Sequence, residues 1–280
     1  MNVYLGEVLA VARLDFAEAL RSRWIIFSVV LYGVLGVTFV FVGMRESTVI
    51  GFSGMGRVLL AMIHTLLFLL PLLGLTATAQ TINRSREDGT LELLFTQPVR
   101  RSAYFLAISL TRYLVLTLPL LMLMTIMGVV ATAVLGENMS WQFLVQAMAI
   151  SASLIAAYVG LGIAISTLVK SQTRAVIWTL GVLALGALFL DFGLLAVMLR
   201  WQLSPAVVFL LAAVNPIQAA RMALLVGASS ELSVLGPIGF YLAHRVGAAG
   251  LFALGVSWPL IVGGAAWLAA RSAFERMDIV

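Results

Sequence analysis

Long apolar runs dominate the chain and are separated by short polar clusters. Runs at about 24–44, 58–82, 105–135, 141–169, 175–199 and 246–270 each have the length that a helix of roughly 20 residues needs to cross ~30 Å of hydrocarbon. None shows the apolar and polar alternation of a barrel strand, so backbone hydrogen bonds have to close within helices. The pattern predicts an all-α polytopic membrane protein, six transmembrane helices in a single domain, 1–280. Ahead of the first run, Leu5, Leu9, Ala12, Phe16 and Leu20 recur at helical spacing, with Arg13, Asp15, Glu18 and Arg21 largely off that stripe. Residues 1–23 therefore predict an interfacial amphipathic helix. They carry Glu7, Asp15 and Glu18 and no small-residue cleavage site behind an apolar core, so no cleaved signal peptide is expected.

Composition agrees: 62% of the 280 residues are hydrophobic, 10% are charged and mean hydropathy is +1.09, against roughly 25% charged in soluble domains. The absence of cysteine removes disulfides, thiolate metal sites and thiol catalysis. A net charge of +5 raises the question of nucleic acid. The basic residues are scattered between apolar runs, where they set orientation and meet anionic membrane lipid, so no nucleic-acid partner is expected.

With the N-terminus inside, only Arg45, Arg57, Arg200, Arg221 and Arg245 of the 17 Lys and Arg fall outside, which favours cytoplasmic N- and C-termini. The segment 200–245 is then external, a helical lid or a re-entrant element. A seventh span competes with that reading, but Pro205 and Pro216 interrupt the run, and an odd count would put the tail on the wrong side for its arginines.

Between the second and third runs lies a charged island, 83–104. Its centre is Glu87-Asp88-Gly89-Thr90-Leu91-Glu92-Leu93-Leu94, followed by Phe95 and Pro98. Gly89 and Thr90 predict a turn and a helix N-cap, Glu92 complements the helix dipole, and Pro98 stops the helix. Leu91, Leu93, Leu94 and Phe95 supply apolar anchors. The island reads as a short cytoplasmic helix that docks in a groove of a soluble partner and passes its movement to the adjoining spans. An ordinary solvated loop is the competing reading.

His64 and Asp191 are ionisable residues inside apolar runs, at similar depth from the outer side. They could pair or line an outer vestibule of a translocation path; a His near the interface and an Asp capping a break before Phe192-Gly193 is the plainer alternative. Met122, Met124 and Met127 would suit a soft-metal relay, but Met122 and Met124 lie about 200° apart on a helix and Met is a common filler of irregular gaps. No metal site is assigned. The chain has no phosphate-binding G-x-x-x-x-G-K-[ST] loop, two histidines and no paired carboxylates within a run, so no catalytic residues are assigned and the chain is read as non-enzymatic.

The motif from Glu87 to Leu94 with Pro98-Val99-Arg100-Arg101 closely resembles the cytoplasmic motif of permease subunits of ABC-2-type transporters. The likeness extends to Gly160, Gly162 and Ser166 and to the Lys170–Arg174 turn, and the order of interfacial helix, spans and motif covers nearly the whole chain. Within that family, the compact six-span form and Asn215-Pro216 with Arg221 are similar to the NosY-type subunit of nitrous-oxide reductase maturation. The resemblance implies a bacterial inner-membrane permease that works with a second copy of itself. It implies cytoplasmic ATPase subunits that bind ATP and Mg and contact Glu87 to Phe95 and Pro98. For the NosY type it also implies a periplasmic accessory protein and a sulfur- or copper-related cargo. Export of lipid, glycan, peptide or drug stays open, as does a passive scaffold or channel.

Overall fold

The computed structural model describes residues 2–21, 26–38, 54–133, 140–189, 205–228 and 247–277, and every element among them is helical. In chain order these are α1 (Asn2–Arg21), α2 (Ile26–Thr38), α3 (Gly54–Thr78), α4 (Thr81–Glu87), α5 (Thr90–Phe95), α6 (Arg101–Ala133), α7 (Trp141–Leu168), α8 (Gln172–Leu183, continued by a π-helical turn Ala184–Phe189), α9 (Pro205–Ala213), α10 (Pro216–Ala228) and α11 (Gly247–Arg276).

Four stretches among the described residues are long and apolar enough to cross a membrane: Thr65–Glu87, Arg101–Val130, Trp141–Leu168 and Gly247–Arg276. The pair α9 and α10, bent by 112°, raises the number to five if it counts as one broken span. The six-span expectation is therefore met only in part. The expected first run is represented by α2 and the fifth by α8 with its π turn; the remainder of both lies outside the described residues. Pro205 and Pro216 each occupy the first position of a helix, where the missing N–H costs nothing, and the expected interruption of the run falls at the bend just before Pro216.

α7 is the centre of the packing, flanked by α11, α3, α6 and α10. Its sequence is predominantly apolar, and it is the most buried of the four long spans. Between helices in lipid, close backbone approach replaces the hydrophobic drive, and small residues permit it. A Cβ on Gly160 would overlap the Gly263 carbonyl of α11, one on Gly263 would meet the Ala157 backbone, and one on Gly162 would overlap the Thr78 hydroxyl of α3. The α10–α11 contact repeats the device at Gly255 against Ala223. By contrast, α6 leaves Leu110, Leu114, Leu118, Met122, Ile126 and Val129 exposed at helical spacing, a stripe suited to acyl chains.

The bend between α9 and α10 is held by side chains. Asn215, almost fully buried, donates from Nδ2 to the Gly186 carbonyl in the π turn (2.7 Å) and accepts from the Ile217 N–H (3.0 Å). Trp258 of α11 donates to the Val214 carbonyl (2.8 Å).

α1 packs along α6 with Val8, Val11, Asp15 and Ala19 buried. The stripe expected from periodicity, Leu5, Leu9 and Phe16, points outward. An outward apolar stripe with charged neighbours is what a helix lying in the headgroup layer presents.

Candidate functional site

The charged island folds as two short helices, not a loop. α4 begins after a break at Ala79–Gln80, and Gly89 at φ 69° turns the chain into α5. This left-handed conformation strains any residue with a Cβ, which is the reason for glycine there. The cap of α5 is therefore Gly89, with no side-chain hydrogen bond; Thr90, expected as the cap, is the first helical residue. Asp88 closes α4 with its backbone N–H and lies 3.5 Å from Arg84 on the surface. The ends of the expected island, 83–104, belong to the packed body instead: Asn83 is fully buried in α4, and Arg101 to Tyr104 open α6.

Three sets of contacts tether this bracket. The start of α4 lacks a side-chain cap of its own; the Ser166 hydroxyl of α7 fills that role, accepting from the Ile82 N–H (2.8 Å) and the Asn83 N–H (3.3 Å). These are the second and third N–H groups of the helix, the two that an N-cap oxygen normally serves. The end of α4 reaches α8: the Glu87 carboxylate accepts from the Gln172 N–H (3.0 Å) and from its Nε2 (2.6 Å), placing an acid at a helix N-terminus. The segment after α5 reaches α1, where Glu7 accepts from the Arg100 N–H (3.2 Å), and the C-terminal end of α11, where Arg101 donates to the Met277 (2.7 Å) and Glu275 (3.2 Å) carbonyls. Phe95 meets Tyr104 edge-on at 5.6 Å, and Tyr104 stacks on buried Phe274 at 5.8 Å. Thus α1, α4, α5, the α7–α8 turn and the C-terminal end of α11 converge at one end of the molecule.

On α5 the expected anchors divide. Leu91 is buried, Leu94 and Phe95 are partly buried against the core, and Glu92 and Leu93 stand out, Leu93 with 71% of its surface exposed. The family described as "ABC-2 family transporter protein" matches residues 9–279. The chain belongs to the ABC-2 transporter family. It is 27% identical to the probable ABC transporter permease protein NosY of Stutzerimonas stutzeri over 97% of this chain and 99% of that protein. It is 28% identical to the protein of the same description in Pseudomonas aeruginosa, over 77% of this chain and 80% of that one.

Within this ABC-2 permease the other expected candidates are placed as follows. His64 falls on α3, its side chain outside what is described, and Asp191 lies outside the described residues. Met124 is buried while Met122 is 64% exposed, so the two side chains diverge. Among the described residues no three His, Asp or Glu side chains gather as metal ligands would.

One feature that periodicity missed lies beside the bracket. Asp15 of α1 and Arg112 of α6, both buried, form an ion pair of 2.8 Å. Asp15 Oδ2 and Arg112 Nε have no hydrogen-bond partner. Burial holds the Asp15 carboxyl above the usual carboxylate range; Arg112 offsets this only in part, and Glu18 adds to the rise. Both residues line a cavity of about 740 Å³ between α1, the α3–α4 break, α5 and α6. The signal in the sequence was an acid at the buried spacing of Val8, Val11 and Ala19.

Proposed function

We propose that this ABC-2 permease forms the translocation path as a dimer and is driven by separate cytoplasmic ATPase subunits that bind ATP and Mg and grip α5. The observation that carries this is the exposed pair Glu92 and Leu93 on a helix whose other side is locked into the body. An apolar tip with an acid beside it, on a rigid mount, suits insertion into a groove of a soluble protein. Movement of α5 then travels along two routes. Ser166 and Glu87 carry it to α7 and α8, and Phe95 and Arg101 carry it to α11. ATP binding shifts the permease by differential affinity for two packings of these helices.

In this reading Glu92, Leu93 and Thr90 touch the ATPase, whereas Glu87 and Asp88 hold the bracket and Gly89 sets its turn. The bracket end faces the cytoplasm of a bacterial inner membrane, which puts both termini there. By its likeness to the NosY permeases we assign the cargo to a sulfur- or copper-related component for metalloenzyme maturation, with a periplasmic protein as receiver; His64 and Asp191 are the candidates along the path.

Because the chain has no cysteine, a single introduced thiol reports one position. Leu93→Cys should cross-link to an ATPase subunit in native membranes, and Leu91→Cys, buried, should not. Equal cross-linking at both positions, or none at Leu93→Cys, would overturn the docking assignment.

A further inference from the structure

The cavity between α1, α5 and α6 has walls of both charges. Asp15 and Glu18 supply carboxylates; Arg21, Arg84 and Arg112 supply guanidinium groups. A simple anion entering it would meet two acids, and a simple cation would meet three arginines. A zwitterion matches both. Two buried polar atoms on the wall, Asp15 Oδ2 and Arg112 Nε, lack partners, which is uncommon for groups buried this deeply. Asp15 needs a further N–H or O–H donor and Arg112 a further acceptor.

The remaining wall includes Val11, Leu14, Ala77, Leu94 and Ile108, an apolar lining for the uncharged part of a ligand. The helix that forms one side turns Leu5, Leu9 and Phe16 outward, so the cavity lies beside a surface built to sit among lipid. We infer that the cavity is a binding site for the ammonium–phosphate headgroup of a membrane phospholipid, with Arg112, Arg21 and Arg84 on the phosphate and Asp15 and Glu18 on the ammonium. A primary ammonium is required, because a quaternary one has no N–H to give Asp15 Oδ2. The bound lipid would join α1 to α5 and α6, making the seating of the bracket responsive to headgroup composition.

Lipid binding needs no ATPase subunit and can be tested on the full chain alone. Native mass spectrometry and thermal unfolding are performed in nanodiscs of phosphatidylethanolamine, phosphatidylcholine or phosphatidylglycerol with identical acyl chains. The expected result is roughly tenfold preferential retention of the ethanolamine lipid, about 1.4 kcal/mol, and a higher Tm in that lipid. The preference should vanish in Asp15→Asn/Arg112→Gln, which neutralises both partners and so leaves no lone buried charge. It should weaken in Glu18→Gln, an exposed change that leaves the fold intact. Equal retention of all three lipids, or an undiminished preference in the double variant, would overturn the proposal. Soluble phosphoethanolamine matching the lipid's effect on Tm would assign the site to a free metabolite and refute the membrane source.

Discussion

Replacing Ser166 by alanine isolates the contact that fastens α4 to α7. The Ser166 hydroxyl, the Ile82 N–H and the Asn83 N–H are all buried to within 1% of full enclosure, so water cannot replace the lost acceptor without opening the structure. Loss of an N-cap oxygen costs about 0.5–2 kcal/mol, and leaving a buried donor unsatisfied costs about 1–3 kcal/mol. The 2.8 Å bond to Ile82 carries most of this and the 3.3 Å bond to Asn83 little, which gives about 2 kcal/mol for opening the start of α4. At 1.4 kcal/mol per tenfold, amide protection in 80–88 should fall roughly 30-fold. Hydrogen exchange read by mass spectrometry on the purified chain measures it directly. Ser153→Ala, on the same helix but bonded to the Ile150 and Gly255 carbonyls, is the control that should leave 80–88 unchanged. Unaltered exchange at 80–88 in Ser166→Ala would refute the claim that α7 caps α4 from outside.

Other substitutions probe the remaining joints. Gly160→Ala forces a methyl into the Gly263 carbonyl and should destabilise the α7–α11 pair by about 1–3 kcal/mol, seen as a lower Tm, while Gly181→Ala on the open side of α8 should not. Arg112→Ala leaves Asp15 buried without its partner and should cost about 3–5 kcal/mol in chemical unfolding, more than the Asp15→Asn/Arg112→Gln pair. Glu87→Ala, at the surface, should cost less than about 1 kcal/mol in unfolding yet loosen transport from ATP hydrolysis, a change in the ratio of the two rates in reconstituted vesicles.

The spans that pattern identified well are those whose neighbours matter least to the reading. The α7 run is long and predominantly apolar, so a membrane-spanning helix follows from composition and length. The α1 stripe was visible too and faces outward as an interfacial helix requires; what periodicity does not mark is the opposite side, buried on α6, which contains Asp15, whose partner Arg112 is 97 residues away. Asn83 opens the charged island 83–104 by its place between two apolar runs, although it is fully buried, with its N–H bonded to Ser166 of α7. Glu87 belonged to the docking motif by local charge; the helix terminus that it satisfies comes 85 residues later. Thr90 is a good capping residue by type, and it was displaced by one position because Gly89 alone accepts the left-handed turn. For Asp15, Asn83 and Glu87 the local chemistry was legible and the distant partner was not.

The central claim is that α5 is a rigid handle whose exposed tip is gripped by an ATPase. The most direct measurement is purification of the wild-type chain and Leu93→Asp from native membranes in mild detergent, with ATP turnover and Tm determined on both. Leu93 is 71% exposed, so the variant should unfold within about 0.5 kcal/mol of wild type. The account predicts that the wild type carries an ATPase subunit and hydrolyses ATP, and that Leu93→Asp loses both at unchanged Tm. Retention of the ATPase and full turnover by Leu93→Asp, or a wild-type chain recovered alone and inactive, would contradict it.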